Sequence, residues 1–109
     1  METMSKLFIN ETEFDLSVTL HIRKGFHING FEYGTVNFEL RSKDQLEVSY
    51  GDMENGYLNG VSCSASIEGR DVSYTERVKE VGCPLDQLLN HKDTLHISLS
   101  GTLLSDKAA

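Results

Sequence analysis

The sequence predicts an all-β fold: an antiparallel, immunoglobulin-like β-sandwich of about seven strands with one short helix near residues 84-90. Two observations carry this. Apolar and polar residues alternate with period two in run after run, which places one face of each strand in a core and the other in water. Turn residues then fall between these runs where hairpins need them, at Asn29-Gly30, Gly34, Asn55-Gly56, Asn59-Gly60 and Gly69. "Immunoglobulin-like" describes architecture only, because Trp is absent and no Cys-Trp-Cys pattern marks an antibody domain. The 109 residues suit one domain. They suffice to bury a core without disulfides or a structural metal, since independent folding becomes difficult mainly below about 40 residues.

Each element follows in order. Residues 6–9, KLFI, read as a short first strand. Phe14, Leu16, Val18, Leu20 and Ile22 then alternate with Asp15, Ser17, Thr19, His21 and Arg23, a long half-buried strand. The alternation returns in Val36, Phe38 and Leu40, in Leu46, Val48 and Tyr50, in Val61, Cys63, Ala65 and Ile67, and in Leu95, Ile97 and Leu99. Asn59-Gly60 interrupts what would otherwise be one strand from Tyr57 to Ile67, so a bulge or second bend belongs there. Residues 72–81 alternate less cleanly. Val72, Tyr74 and Val78 share a phase with Glu76, which a bulge or an edge position reconciles. The helix is signalled by Pro84 at its first position and by Leu85, Leu88 and Leu89 on one face. Cys83 stands where the cap would be, with Asp86 placed to bond back as in a capping box.

Two segments in the second half carry a resemblance. Tyr50, Gly51, Asn55, Tyr57, Leu58, Asn59 and Gly60 form the first. Gly82, Leu85, Asp86, Leu88, Leu89, Asn90 and Thr94 form the second. Together they resemble small bacterial all-β proteins of unknown function. The resemblance covers the C-terminal half and implies only that the two segments form one recurring unit; it brings no activity or site.

Ten Lys and Arg face seventeen Asp and Glu, a formal charge of −7. An acidic chain with scattered bases repels phosphate backbones, so nucleic acid and anionic membrane are excluded as expected partners. The opening residues lack the apolar core of a secretory signal, and no run approaches a membrane span, so a cytoplasmic location is expected. There Cys63 and Cys83 would remain thiols. Asn10-Glu11-Thr12 matches a glycosylation sequon, which matters only in a secretory pathway.

Four features compete for a functional role. Asp52, Glu54 and Asn55 before Gly56 supply closely spaced oxygens of the kind calcium takes. Strand flanks and the wrong register exclude an EF-hand, and an Asn-Gly hairpin with an acidic tip explains the same residues more simply. Phe26, Ile28, Phe31 and Tyr33 crowd four bulky groups into a ten-residue loop. They fold back over the end of the sandwich or form a contact patch for a partner. Cys83 at a helix N-terminus could be an activated thiol with His91 or His96 as base, yet a poor cap is the plainer reading. The four His show no metal-ligand spacing and read as solvated. No nucleophile elbow or phosphate-binding loop is present.

The expectation is therefore a non-catalytic, cofactor-free interaction or assembly domain. Its partner is protein, with self-association the commonest form. The alternative is a carbohydrate-binding module, calcium-dependent or not, that uses Asp52, Glu54 and Asn55 with the rings of Tyr50 and Tyr57.

Overall fold

The period-two runs become strands. The computed structural model describes residues 4–23, 32–50, 57–78, 83–98 and 104–105. Among them are β1 (Met4–Asn10), β2 (Leu16–Arg23), β3 (Glu32–Leu40), β4 (Gln45–Tyr50), β5 (Tyr57–Ile67), β6 (Arg70–Arg77), α1 (Pro84–His91), β7 (Thr94–Ile97) and β8 (Leu104–Ser105). They form two four-stranded sheets, ordered β4-β1-β7-β8 and β3-β2-β5-β6, in a sandwich-like arrangement.

The second sheet is antiparallel throughout, but the first is mixed. β1 and β7 run parallel, from Leu7 opposite Thr94 to Asn10 opposite Ile97. The Leu7 N–H donates to the Asp93 carbonyl and the Glu11 N–H to that of Ile97, both at 2.9 Å. This corrects the expectation of a purely antiparallel fold. Alternation reports which face of a strand is buried and is silent on the direction of its neighbour.

The inward residues close one core. Phe8, Leu16, Val18, Leu20, Leu40, Val61, Leu95 and Ile97 are buried, each side chain stabilising the fold by about 1.5–3 kcal/mol relative to exposure. Phe8 of one sheet meets Phe38 of the other, ring centroids 5.4 Å apart. Helix α1 adds Leu89, which is fully buried. Cys83 is its N-cap in extended conformation and makes no side-chain cap hydrogen bond.

Two bulges act on the same end of β2. Against β5, His21 faces Gly60 while the next residue, Ile22, faces Leu58, so Asn59 is the extra residue. Against β3, Ile22 faces Gly34 and Arg23 faces Glu32, which makes Tyr33 extra. Bulges bend and twist a sheet locally, and here both neighbours of β2 bend at the level of Arg23. The expected interruption at Asn59-Gly60 is thus a bulge inside one continuous strand. Gly60 is required there: a Cβ would lie 2.7 Å from the Glu76 carbonyl oxygen on β6.

The sequon has a structural purpose. Asn10 is fully buried at the end of β1. Its Nδ2 donates to the carbonyls of Phe14, Leu40 and Arg41 at 2.8, 3.0 and 3.1 Å. Its Oδ1 accepts from the Thr12 N–H and hydroxyl at 2.8 and 2.6 Å. One side chain thereby ties the β1–β2 connection to the β3–β4 turn. Its nitrogen is unavailable for a glycan in the folded state.

Candidate functional site at an open strand edge

The residues singled out from sequence fall in three groups. Asp52, Glu54 and Asn55 lie outside the described residues, as do Phe26, Ile28 and Phe31; Tyr33 is described only by its backbone in β3. Tyr50 ends β4 with its ring turned into the core at 2% exposure. Burial, then the nearby Asp93 charge, pushes its hydroxyl up to about 12. Tyr57 begins β5 in the other sheet, half-buried, with the Arg23 guanidinium 5.2 Å from its ring centroid. The two tyrosines therefore do not form one aromatic platform.

Sequence reasoning missed the polar cluster around Arg23. This residue occupies an outward position of β2, yet it is 1% exposed. The two bulges and α1 enclose it, and its Nη2 meets the Asp86 Oδ1 at 3.0 Å. Asp86 also accepts from Asn90 Nδ2 at 2.8 Å. Asn90 in turn takes the Leu58 N–H at 2.7 Å and donates to the Leu58 carbonyl at 3.1 Å. The helix thus supplies a side chain that mimics a neighbouring strand along the edge of β5, just beyond where β6 ends.

Of the remaining thiol and imidazole candidates, Cys63, His21 and His96 are tied into the fold, while His27 lies outside the described residues and His91 is described only by its backbone in α1. Cys63 is buried and its thiol is pushed up to about 12 by that burial. His21 shares a 3.0 Å hydrogen bond with Ser62 on the outer face, and His96 Nδ1 meets Glu11 Oε1. Among the described residues, no three His, Cys, Asp or Glu side chains gather closely enough to hold a metal ion.

Strand β6 stands apart. Among the described residues it is the terminal strand of its sheet and pairs with β5 alone, from Gly60 opposite Arg77 to Ile67 opposite Arg70. Most of it is exposed on both faces; Tyr74, opposite the buried Cys63, is 42% exposed. Among the described residues, the opposing first sheet therefore does not cover it. This accounts for Glu76 on the core phase: an edge strand tolerates a carboxylate there because water reaches it.

The hydrogen-bonding groups of β6 can be assigned. The β5–β6 turn is the two-residue Glu68-Gly69, with φ of 51° and 77°, the positive pair that a type I′ hairpin requires. Such a turn makes Ile67 and Arg70 the closing hydrogen-bonded pair, and pairs then alternate. The even-numbered residues of β6 bond to β5. The Val78 N–H donating to the Asn59 carbonyl at 2.9 Å continues that alternation past the strand end. Asp71, Ser73, Thr75 and Arg77 consequently aim their N–H and C=O groups away from the sheet.

Charge separates this edge from the other described edge strands. β3 carries Glu32 and Glu39, β4 carries Glu47, and β8 carries no charge, whereas β6 carries Arg70, Asp71, Glu76 and Arg77. Two copies of this −7 chain meeting through β3 or β4 would place like charges together. β6 alone offers both signs. Beside it lies an open groove of about 510 Å³ with a mixed lining, polar at Ser17, Ser64, Asp71 and Ser73 and apolar at Ala65 and Val72. No protein-family model, curated protein or solved structure matched the chain in comparison.

Proposed function

We propose that this protein is a non-catalytic interaction domain of immunoglobulin-like architecture, and that it self-associates by strand addition at β6. One observation carries the reading: an eight-residue edge strand without a bulge, its outward backbone groups unpaired among the described residues. Exposed edges template pairing with another chain, which is why proteins usually shorten, bulge or cover them. β8 is short, and β3 is bulged. β6 is neither. Main-chain hydrogen bonds supply the affinity in such contacts and side chains the selectivity. The carbohydrate reading ranks second, because Tyr50 has no exposed ring face and Tyr57 already lies under Arg23.

Sedimentation velocity over a concentration series up to the order of 1 mM tests this, since a contact limited to one strand edge is small and correspondingly weak. The wild-type chain is expected to shift from monomer to dimer. Ser73→Pro removes an outward N–H without touching the β5 ladder, as edge strands permit. It is expected to remain monomeric with an unchanged far-UV circular dichroism spectrum. A wild type that stays monomeric throughout, or a dimer that Ser73→Pro leaves intact, overturns the reading.

A further inference from the structure

Resting on that reading of the β6 edge, we infer that the partner is a second copy of this chain in a single register, antiparallel, with the two-fold axis passing through Tyr74. Only residues whose backbone groups point outward can bond across the junction. Asp71, Ser73, Thr75 and Arg77 must therefore face one another in some order, and antiparallel symmetry leaves few ways to do it. An axis at Tyr74 sets Asp71 against Arg77 of the second copy and Ser73 against its Thr75. All four outward residues of both strands are then used. Each facing pair exchanges two hydrogen bonds, roughly eight in all. An axis at Ser73 or at Thr75 leaves one outward residue of each strand unmatched.

The side chains favour the same register. Asp71 and Arg77 make no ion pair within the chain among the described residues, and here each meets the opposite charge of the other copy on the outer face. Ser73 meets Thr75, a cross-strand hydroxyl pair. Tyr74 meets Tyr74 across the axis on the inner face, in a non-hydrogen-bonded position where Cα atoms approach to about 4.5 Å. That contact covers one of the two exposed large hydrophobic residues identified, the other being Leu46. Glu76 faces Val72 at the rim, where its carboxylate keeps access to water.

The junction also joins the outer faces. Glu39, Ser17, Ser64 and Ser73 lie in one cross-strand row. Through Thr75 of the second copy this row continues onto its Ser62, Thr19 and Asn37. The dimer is thus one eight-stranded sheet with a continuous small, polar outer surface.

Cysteine cross-linking reads the register. In a Cys63→Ala, Cys83→Ser background, which removes the thiol opposite position 74 within the same chain, Tyr74→Cys is expected to form a disulfide dimer on oxidation with diamide, because facing non-hydrogen-bonded positions meet the geometric needs of the bond. Val72→Cys alone and Glu76→Cys alone are expected to stay uncoupled, whereas an equimolar mixture of the two cross-links. Asp71→Arg is expected to weaken dimerisation roughly tenfold, and Asp71→Arg combined with Arg77→Asp to restore it. Cross-linking by Val72→Cys alone overturns the register, as does a Tyr74→Cys chain that sediments as a dimer without cross-linking. In both cases self-association through β6 survives, provided Ser73→Pro still abolishes it. A wild-type chain that never dimerises overturns both.

Discussion

Removing the Asp86 carboxylate should be among the most damaging single changes to this fold. Arg23 and Asp86 face each other at 3.0 Å with side chains only 1% and 6% exposed. Taking charges out of water is costly, and a buried pair is tolerable because each charge answers the other. Asp86→Ala takes the Asp86 carboxylate away from the buried guanidinium, and breaking a buried pair in this way costs about 3–5 kcal/mol in comparable settings. It also releases Asn90, whose amide is steadied by the same carboxylate while it holds the Leu58 backbone. A small domain loses roughly 1–2 kcal/mol of stability per molar urea. The midpoint of urea unfolding should therefore fall by about 2 M, followed by far-UV circular dichroism because the chain has no Trp. Asp86→Asn should cost less, since it keeps an oxygen acceptor. The decisive variant is the double replacement Arg23→Met with Asp86→Leu. Apolar groups of similar volume often replace a buried pair at little cost, so the double variant should be more stable than Asp86→Ala. Single and double substitutions should be non-additive by at least about 2 kcal/mol, as for residues in direct contact. Additivity within about 0.5 kcal/mol would refute the pair as a linked unit.

Two further outcomes follow from burial. Cys63 and Tyr50 both have protonation constants raised to about 12, from 9.0 and 10.0. Between the unfolded and folded values the native state holds more protons, so stability is complete below pH 9 and is lost as pH rises from 9 towards 12. The slope is about 1.4 kcal/mol per pH unit for each group. Lys6, lowered mainly by burial, acts in the opposite sense, its penalty fading as pH rises towards 10.5. Urea midpoints measured from pH 8 to 11 should therefore decline overall, and Cys63→Ala should flatten the portion between pH 9 and 10; an unchanged slope there would remove the thiol from the account. Separately, Asn10→Asp should destabilise by at least about 3 kcal/mol, because a carboxylate would face three carbonyl oxygens that now accept hydrogen bonds from Nδ2. A thermal melt within a degree or two of wild type would show that the hub carries no such load.

What could be read from sequence divides along a physical line. Side-chain alternation is local, so the strands from Leu16 to Ile97 were legible, as was the bulge announced by Asn59-Gly60 within an alternating run. Glu76 on the core phase of 72–78 pointed to an edge, and β6 is one. Tyr50 was legible too: it shares the phase of Val48, and that phase faces the core. Its choice as a ligand-stacking ring gave composition more weight than periodicity. Arg23 and Asn10 were not legible. Arg23 sits on the solvent phase of its strand, and only the bulges on β3 and β5 together with α1 turn that position into an interior. Asn10 resembles any sequon until three carbonyls converge on it, one from the connection that follows it and two from the distant end of β3. The parallel β1–β7 pairing was equally hidden, because it depends on where the chain returns after α1.

The strongest argument that the β6 edge is functional comes from how the chain closes a neighbouring one. Where β6 stops, β5 would expose the N–H and C=O of Leu58. The helix answers with Asn90, which satisfies both groups, and the Arg23–Asp86 pair fixes Asn90 in place. A buried ion pair contributes little net stability, so its presence is better explained by what it positions than by what it adds. The same molecule leaves four residues of the adjacent strand with outward backbone groups unpaired, unbulged and uncovered among the described residues. Among the described residues, the one edge strand with charges of both signs is also the longest unbulged one. Random edge pairing would be suppressed most simply by like charges, as on β3 and β4. On β6 the proposed antiparallel copy centred on Tyr74 sets Asp71 against Arg77, whereas an antiparallel copy centred on Asp71 or on Arg77 would set like charges opposite each other. In the proposed dimer, selective pairing of this kind would distinguish an interface from an aggregation hazard, with the selectivity carried by two charged side chains at the ends of one strand.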